Sequence, residues 1–308
     1  MNVSVKRDES HRLRAQADAI SATLPPLLVA ARRIAASVTL GSHGRRRAGV
    51  GDSFWQFRPY SKDDSPQAID WRQSGKFDTV FVREREWVAA QSAALWCDTS
   101  PSMRYRSSAN LPTKAERAAV MMLTIAELLI DGGERIIRLA GDGRPQRAAA
   151  AGRLAVAQMA DAVAVELMSD PASAAAGAMP NFSTPLPRHA TAVLISDFLA
   201  PLDEVAASVR AMTRQGLIGH MVQVLDPAEE TLPFSGRVRF VGLEKEGATV
   251  IDRAEEARAG YIRKLNAHRE GLKALAATAG WSFGLHHTNN PPQPALAALH
   301  NAITGYRR

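Results

Sequence analysis

The chain has 308 residues, of which 46% are hydrophobic, 22% charged and 6% aromatic, and a formal charge of +7. That is an ordinary globular composition, long enough to bury one large core or two modest ones. It excludes a disordered chain, a collagen-like fibre and a disulfide scaffold.

Cys97 is the only cysteine, so no intrachain disulfide can form and a reducing compartment is expected. No stretch approaches the roughly 18 uncharged apolar residues of a membrane span. The best candidate, Leu24–Ala31, contains Pro25 and Pro26 and runs into Arg32 and Arg33. Met1–Arg14 is too charged for a secretory signal. A cytoplasmic protein is expected, free or peripheral to a membrane.

The positive charge is concentrated at the start. Residues 1–50 hold nine Lys/Arg against three acids. Such an arm can touch nucleic acid, anionic lipid or an acidic protein, or simply aid solubility. No aromatic residues interleave with these arginines, which argues against a base-stacking surface.

Residues 1–50 read as helix in pieces, broken at Pro25–Pro26 and ended by the loop Gly41-Ser42-His43-Gly44. From Gly49 to Arg72 no period emerges. Thr79–Glu86 alternates as a half-exposed strand does, and Ser92–Cys97 is almost wholly apolar, as suits a strand buried on both faces. Thr113-Lys114-Ala115-Glu116 is a capping box, and the helix it opens runs to Gly132–Gly133. Arg135–Ala140 reads as a strand, Leu154–Met168 as a helix and Ala192–Ser196 as a second buried strand. Pro201–Thr213 reads as a helix and His220–Leu225 as a third apolar strand. Arg237–Leu243 and Thr249–Ile251 read as a pair of outer strands. Ala254–Ala279 is a long amphipathic helix stopped by Gly280, and Trp281–His286 a last strand. Ser169–Pro187, rich in Ala and Pro, reads as a loop. Strands alternating with helices predict an α/β, Rossmann-like fold with a mainly parallel central sheet flanked by helices.

In open sheets of this kind, ligands sit beyond the carboxyl ends of the central strands. Two of the buried strands end in aspartate: Leu95-Trp96-Cys97-Asp98, followed by Thr99-Ser100-Pro101-Ser102, and Leu194-Ile195-Ser196-Asp197. Asp98, Ser100, Ser102 and Asp197 are therefore expected to meet at one sheet edge. An all-oxygen set suits a hard cation, Mg²⁺ or Mn²⁺, rather than zinc. The competing reading has each aspartate capping the turn that follows it.

Asp98-x-Ser100-x-Ser102 after a buried strand resembles the metal-ion-dependent adhesion site of von Willebrand factor A domains. More of the chain resembles the bacterial family catalogued as domain of unknown function 58. The matching pieces are Phe57-Arg58-x-Tyr60-x-x-Asp63-Asp64, Ile69-Asp70-Trp71, Val82-Arg83-Glu84, Ile195-Ser196-Asp197-Phe198, Asp226-Pro227-x-Glu229 and Tyr261. The resemblance implies a von Willebrand A-like domain that binds Mg²⁺ through the serine hydroxyls, with the aspartates acting directly or through water. It also implies a MoxR-type AAA+ ATPase partner and a client protein in assembly, maturation or stress response, with no small-molecule substrate. The corresponding division is a basic arm (1–34), a family-specific N-terminal helical/β extension of helix or loop plus strands (35–90), the sheet domain (91–290) and a C-terminal helix or tail (291–308).

Such sites usually add a loop threonine. Between Gly141 and Ser196 only Thr184 and Thr191 are available, and Ser169 or Asp170 stand where it would fall. Arg58, Tyr60, Asp63, Asp64, Asp70 and Trp71 form either a partner-docking surface or a hydrogen-bonded loop with Asp70 paired to an arginine and Trp71 buried.

Enzymatic readings lack parts. A phosphohydrolase needs a second acid where Ser100 stands, no phosphate-binding Gly-rich Lys loop exists, and Cys97 reads as core. His286–His287 would point to opposite faces of a strand. The expectation is a non-enzymatic, cation-dependent interaction module. The alternatives are a nucleic-acid binder using the basic arm and a metal-free structural adaptor.

Overall fold

The computed structural model describes residues 27–39, 54–60, 69–77, 79–85, 92–140, 144–146, 149–169, 179, 185–187, 189–243 and 247–305. It divides into two units, His43–Ala90 and the remainder.

The small unit is built on an antiparallel pair, β1 (Phe54–Pro59) with β2 (Phe81–Arg85), which carries a bulge between Phe54 and Gln56. One helical turn, α2 (Trp71–Ser74), lies between them. Ser74 joins the two: its hydroxyl donates to the Asp70 carbonyl at 2.7 Å and accepts the Phe81 N–H at 2.9 Å. Strands were expected in this module, but the position of β1 was not marked, because its pairing partner lies more than twenty residues away and no local period shows there. Trp71 was expected to be buried under the loop reading, yet it is 69% exposed. Among the described residues of this unit, a two-stranded pair with one helical turn offers no second layer to cover an indole.

The large unit carries a five-stranded parallel sheet in the order β4-β3-β5-β6-β9. Its strands are β3 (Ser92–Cys97), β4 (Arg135–Arg138), β5 (Thr191–Ser196), β6 (Ile218–Leu225) and β9 (Ser282–His287). An isolated antiparallel pair, β7 (Val238–Val241) with β8 (Ala248–Ile251), stands apart from this sheet. The helices are α1 (27–39), α3 (Lys114–Asp131), α4 (Arg153–Met168), α5 (Leu202–Arg214), α6 (Pro227–Thr231), α7 (Ala254–Thr278) and α8 (Gln293–Gly305). The fold is α/β, with a parallel central sheet covered on both faces.

Strand alternation decides which helix covers which face. Ala93, Leu95 and Cys97 of β3 join a core shared with α1, α3, α4 and α8, whereas Ala94 and Trp96 face α5 and α7. On α1, Leu27, Ala31, Ala35 and Val38 bury one stripe, and Arg32 pairs with Glu127 of α3 at 2.9 Å. The other basic residues of the first fifty, apart from Arg33, lie outside the described residues.

The expected capping box is formed. Thr113 accepts the Glu116 N–H, and Glu116 in return accepts the Thr113 N–H at 2.8 Å. α6 opens with a second capping box, Asp226-Pro227-Ala228-Glu229, whose D-x-x-E spacing was legible but not read as a helix start.

Gly219 on β6 marks a tight spot. A Cβ there would fall 2.1 Å from the ring of Trp281, which is buried. Gly219→Ala is expected to destabilise the fold by roughly 1–3 kcal/mol through overpacking, read from urea unfolding. Pairing it with Trp281→Leu should recover part of that loss, and no loss in the single variant would refute the contact.

Candidate functional site

The chain reverses direction across the sheet at β3: β4 is laid on one side of it and β5 on the other. The crevice beyond the carboxyl ends of β3 and β5 is thus the switch point, where neighbouring crossovers diverge and leave room for a ligand.

Asp98 leaves β3 with its N–H still donating to the Ile195 carbonyl at 2.9 Å. Its carboxylate then closes a local turn, with Oδ1 accepting the Ser100 N–H at 2.8 Å. Its other oxygen accepts the hydroxyl of Ser196, the last residue of β5, at 2.7 Å. Pro101 opens a single 3₁₀ turn, Pro101–Arg104, which carries Ser102 back over the sheet edge. The Ser100 and Ser102 hydroxyl oxygens lie 3.1 Å apart, and Ser102 donates to Asp197 Oδ2 at 2.9 Å. All four predicted residues are therefore joined, directly or through Ser196, at one edge.

The β5 end is held equally firmly. Phe198 has φ 51°, a left-handed conformation uncommon for an aromatic residue. Its N–H donates to Ser196 Oγ at 2.9 Å, and its carbonyl lies 2.6 Å from His268 Nε2. Gln223 donates to the Asp197 carbonyl at 2.9 Å.

Lys114, the first residue of α3, was not foreseen as part of this cluster. Its side chain is fully buried, and its ammonium donates to Asp197 Oδ2 at 2.8 Å and to Glu229 Oε1 at 2.6 Å. A signal was present: a cation in the first turn of a helix opposes the helix dipole, so partners are needed nearby. Burial alone would lower the Lys114 pKa, but Asp197 and Glu229 together hold it above the usual lysine range. Burial pushes Glu229 up despite the ammonium beside it. Asp98 rises to about 6, chiefly because it is buried and secondly because Asp197 is charged, against the opposing bonds from Ser100 and Ser196.

The donors suit a small hard cation. Bonds of about 2.1 Å to an octahedral Mg²⁺ place adjacent oxygens roughly 3.0 Å apart. The Ser100–Ser102 and Ser102–Asp197 spacings, 3.1 and 2.9 Å, match that edge length. Among the described residues no group of three or more His, Cys, Asp or Glu is arranged to hold a metal, so a site here would depend on the hydroxyls.

No loop threonine joins the cluster among the described residues. Thr191 starts β5, at the opposite end from Asp197. The Ser169 hydroxyl donates to the Glu166 carbonyl at 2.7 Å, and Asp170 and Thr184 lie outside the described residues. Of the second predicted set, Arg58 lies in β1 opposite Val82. The Tyr60 N–H bonds the Val80 carbonyl, the Asp70 N–H bonds the Phe81 carbonyl, and Trp71 begins α2. Asp63 and Asp64 lie outside the described residues. Cys97 is buried and its thiol is pushed up to about 12 by that burial, which leaves no thiolate for chemistry. His287 is engaged by Glu230 at 3.1 Å.

A groove of about 740 Å³ opens beside the cluster. Ser102, Tyr105 and Asp197 are among its polar lining residues, and Leu199, Phe234 and Phe240 among its apolar ones. Sequence reasoning missed it because β7 contributes to it only through tertiary packing.

The family model described as "Protein of unknown function DUF58" matches residues 56–271. The chain belongs to that family. No curated protein matches this DUF58 chain. Among solved structures it is similar to a conserved hypothetical protein, BatB, from Bacteroides thetaiotaomicron. The identity is 15% over 71% of this chain and 99% of that one, with TM-score 0.43. An aerotolerance-related membrane protein from Bacteroides fragilis, carrying multiple mutations to serine, is 18% identical over 70% and 100% of the two chains, with TM-score 0.40. An uncharacterized membrane-spanning protein from Vibrio fischeri is 12% identical over 71% and 99%, with TM-score 0.20. Among the described residues of the DUF58 chain, no helix is long and apolar enough to cross a membrane.

Proposed function

We propose that this DUF58 chain is a non-enzymatic interaction module that binds a divalent cation, Mg²⁺ or Mn²⁺, at a von Willebrand A-like adhesion site. Ser100 and Ser102 would ligate the cation through their hydroxyls, with Asp98 and Asp197 directly or through water. The observation that carries the reading is the hydrogen-bonded gathering of Asp98, Ser100, Ser102 and Asp197 at the switch point, beside an open groove. Neutral hydroxyl ligands leave such a cation under-neutralised, so that it can accept a carboxylate from a partner protein. The apolar wall of the groove suits a protein surface better than a small polar solute. The partner we propose is a MoxR-type AAA+ ATPase acting with a client, in the cytoplasm or at a membrane surface.

Affinity capture from native lysate tests this. Purified protein is used in Mg²⁺ and in EDTA, with Asp98→Ala alongside, and bound proteins are identified by mass spectrometry. An AAA+ ATPase retained only by the unmutated chain in Mg²⁺ is the expected result. Retention of the same proteins in EDTA and by Asp98→Ala would overturn cation-dependent docking. That outcome would favour the metal-free adaptor, which the Lys114 ammonium on Asp197 also supports.

A further inference from the structure

We propose that the Lys114 ammonium is a built-in counter-cation of this centre, and that it competes with a divalent cation for Asp197. The inference deepens the cation-site reading and rests on it.

The competition follows from which lone pairs are taken. Asp197 Oδ2 accepts both the Lys114 ammonium at 2.8 Å and the Ser102 hydroxyl at 2.9 Å. A carboxylate oxygen has two in-plane lone pairs, so both are engaged. Asp197 Oδ1 receives the Leu199 N–H at 3.2 Å. The carboxylate that should neutralise an incoming cation is thus already neutralised from within the protein. A cation seated on Ser100 and Ser102 would share Asp197 with a like charge, and because Lys114 and Asp197 are both buried, that repulsion is only weakly screened.

Glu229 makes the arrangement reversible. One of its oxygens is fixed by the capping box of α6, accepting the Asp226 N–H at 2.8 Å, and the other receives Lys114 at 2.6 Å. Asp226 is itself anchored by the Ser107 N–H at 2.9 Å and the Ala228 N–H at 2.8 Å. The ammonium therefore keeps a fixed carboxylate when a cation draws on Asp197, and it need not leave the interior. Lys114 sets the affinity of the centre, and Glu229 sets how far Lys114 yields.

The test is Mn²⁺ binding to the full chain at neutral pH, read from the electron paramagnetic resonance signal of free Mn²⁺. Folding is checked by circular dichroism. Lys114→Met is expected to bind Mn²⁺ at least about tenfold more tightly than the unmutated chain, and to gain more thermal stability from it. Glu229→Gln is expected to bind more weakly, because the ammonium then rests wholly on Asp197. Asp98→Ala should abolish binding in either background.

If the unmutated chain binds and Lys114→Met binds no tighter, the competition is overturned and the cation reading stands. Binding by Lys114→Met alone supports competition, but overturns a cation-loaded native chain. No binding by either, or binding indifferent to Asp98→Ala, overturns both. Should Lys114→Met fail to fold, Glu229→Gln decides: weaker binding supports the proposal, and unchanged or tighter binding overturns it.

Discussion

Lys114→Met is expected to lower the stability of the fold by roughly 3–5 kcal/mol in EDTA, the scale for removing one partner of a buried ion pair. The mutation preserves bulk and apolar stem but takes away the only charge shown to bridge Asp197 and Glu229, leaving two buried carboxylates with fewer donors. Because the lysine pKa is raised in the folded state, its contribution is present throughout the neutral range. The lysine's own contribution is lost only as pH rises through that raised value. The pH dependence between pH 6 and pH 8 therefore comes from the orphaned carboxylates, and the deficit should shrink toward pH 6 as they take up protons. Urea unfolding followed by circular dichroism measures it. Adding Asp197→Asn or Glu229→Gln to Lys114→Met should recover part of the loss, since each removes one orphaned charge. A loss below about 1 kcal/mol would place the ammonium in water, where ion pairs are worth little.

Asp98→Asn is expected to act in the opposite direction. Burial, with the Asp197 charge second, raises Asp98 from 3.8 to about 6. A carboxyl whose folded pKa is raised binds its proton more tightly in the native state. Its contribution is therefore most favourable in acid and is lost as pH rises from about 4 through about 6. At pH 7.5 the ionised group costs roughly 1–3 kcal/mol. Asparagine keeps the shape and one acceptor for the Ser100 N–H but carries no charge. In EDTA the variant should be more stable than the unmutated chain at pH 7.5, about equal near pH 3, and flatter between. Thermal melts across that range would show it. A variant less stable at pH 7.5 would mean that the hydrogen bonds to the carboxylate outweigh its burial. The expected gain in stability comes with a site that no longer offers a cation its buried charge, the usual relation between a strained functional centre and the fold that carries it.

Much of the architecture was legible because its causes are local. Ser92–Cys97 and Thr191–Ser196 are apolar runs too short for helices, and each is followed by an aspartate, Asp98 or Asp197, that ends the strand while staying buried itself. Thr113 and Glu116 sit at the spacing at which a capping box closes on itself. Gly280, at φ 70°, ends the long helix where its sequence position said it would. α6 carried the same kind of signal at Asp226 and Glu229 and was passed over, because a five-residue helix leaves no period to notice. β1 had no local signal, since an edge pair is stabilised by its partner strand. The exposure of Trp71 depended on tertiary packing, which no window of sequence reports.

The sequence by itself determined that the chain is α/β, that its buried strands end in aspartates, and that hydroxyls follow the first of them at a spacing of two. Periodicity, capping and turn chemistry act over a few residues and can be read there. Only the tertiary structure decided that Ser102 and Lys114 converge on one oxygen of Asp197, across 95 and 83 residues of chain. Strand order at the switch point and the placing of α3 and α6 against it arise from packing the whole sheet, a sum over distant contacts. The charge that balances the centre was therefore visible as a residue in the sequence, and as a partner only in the fold.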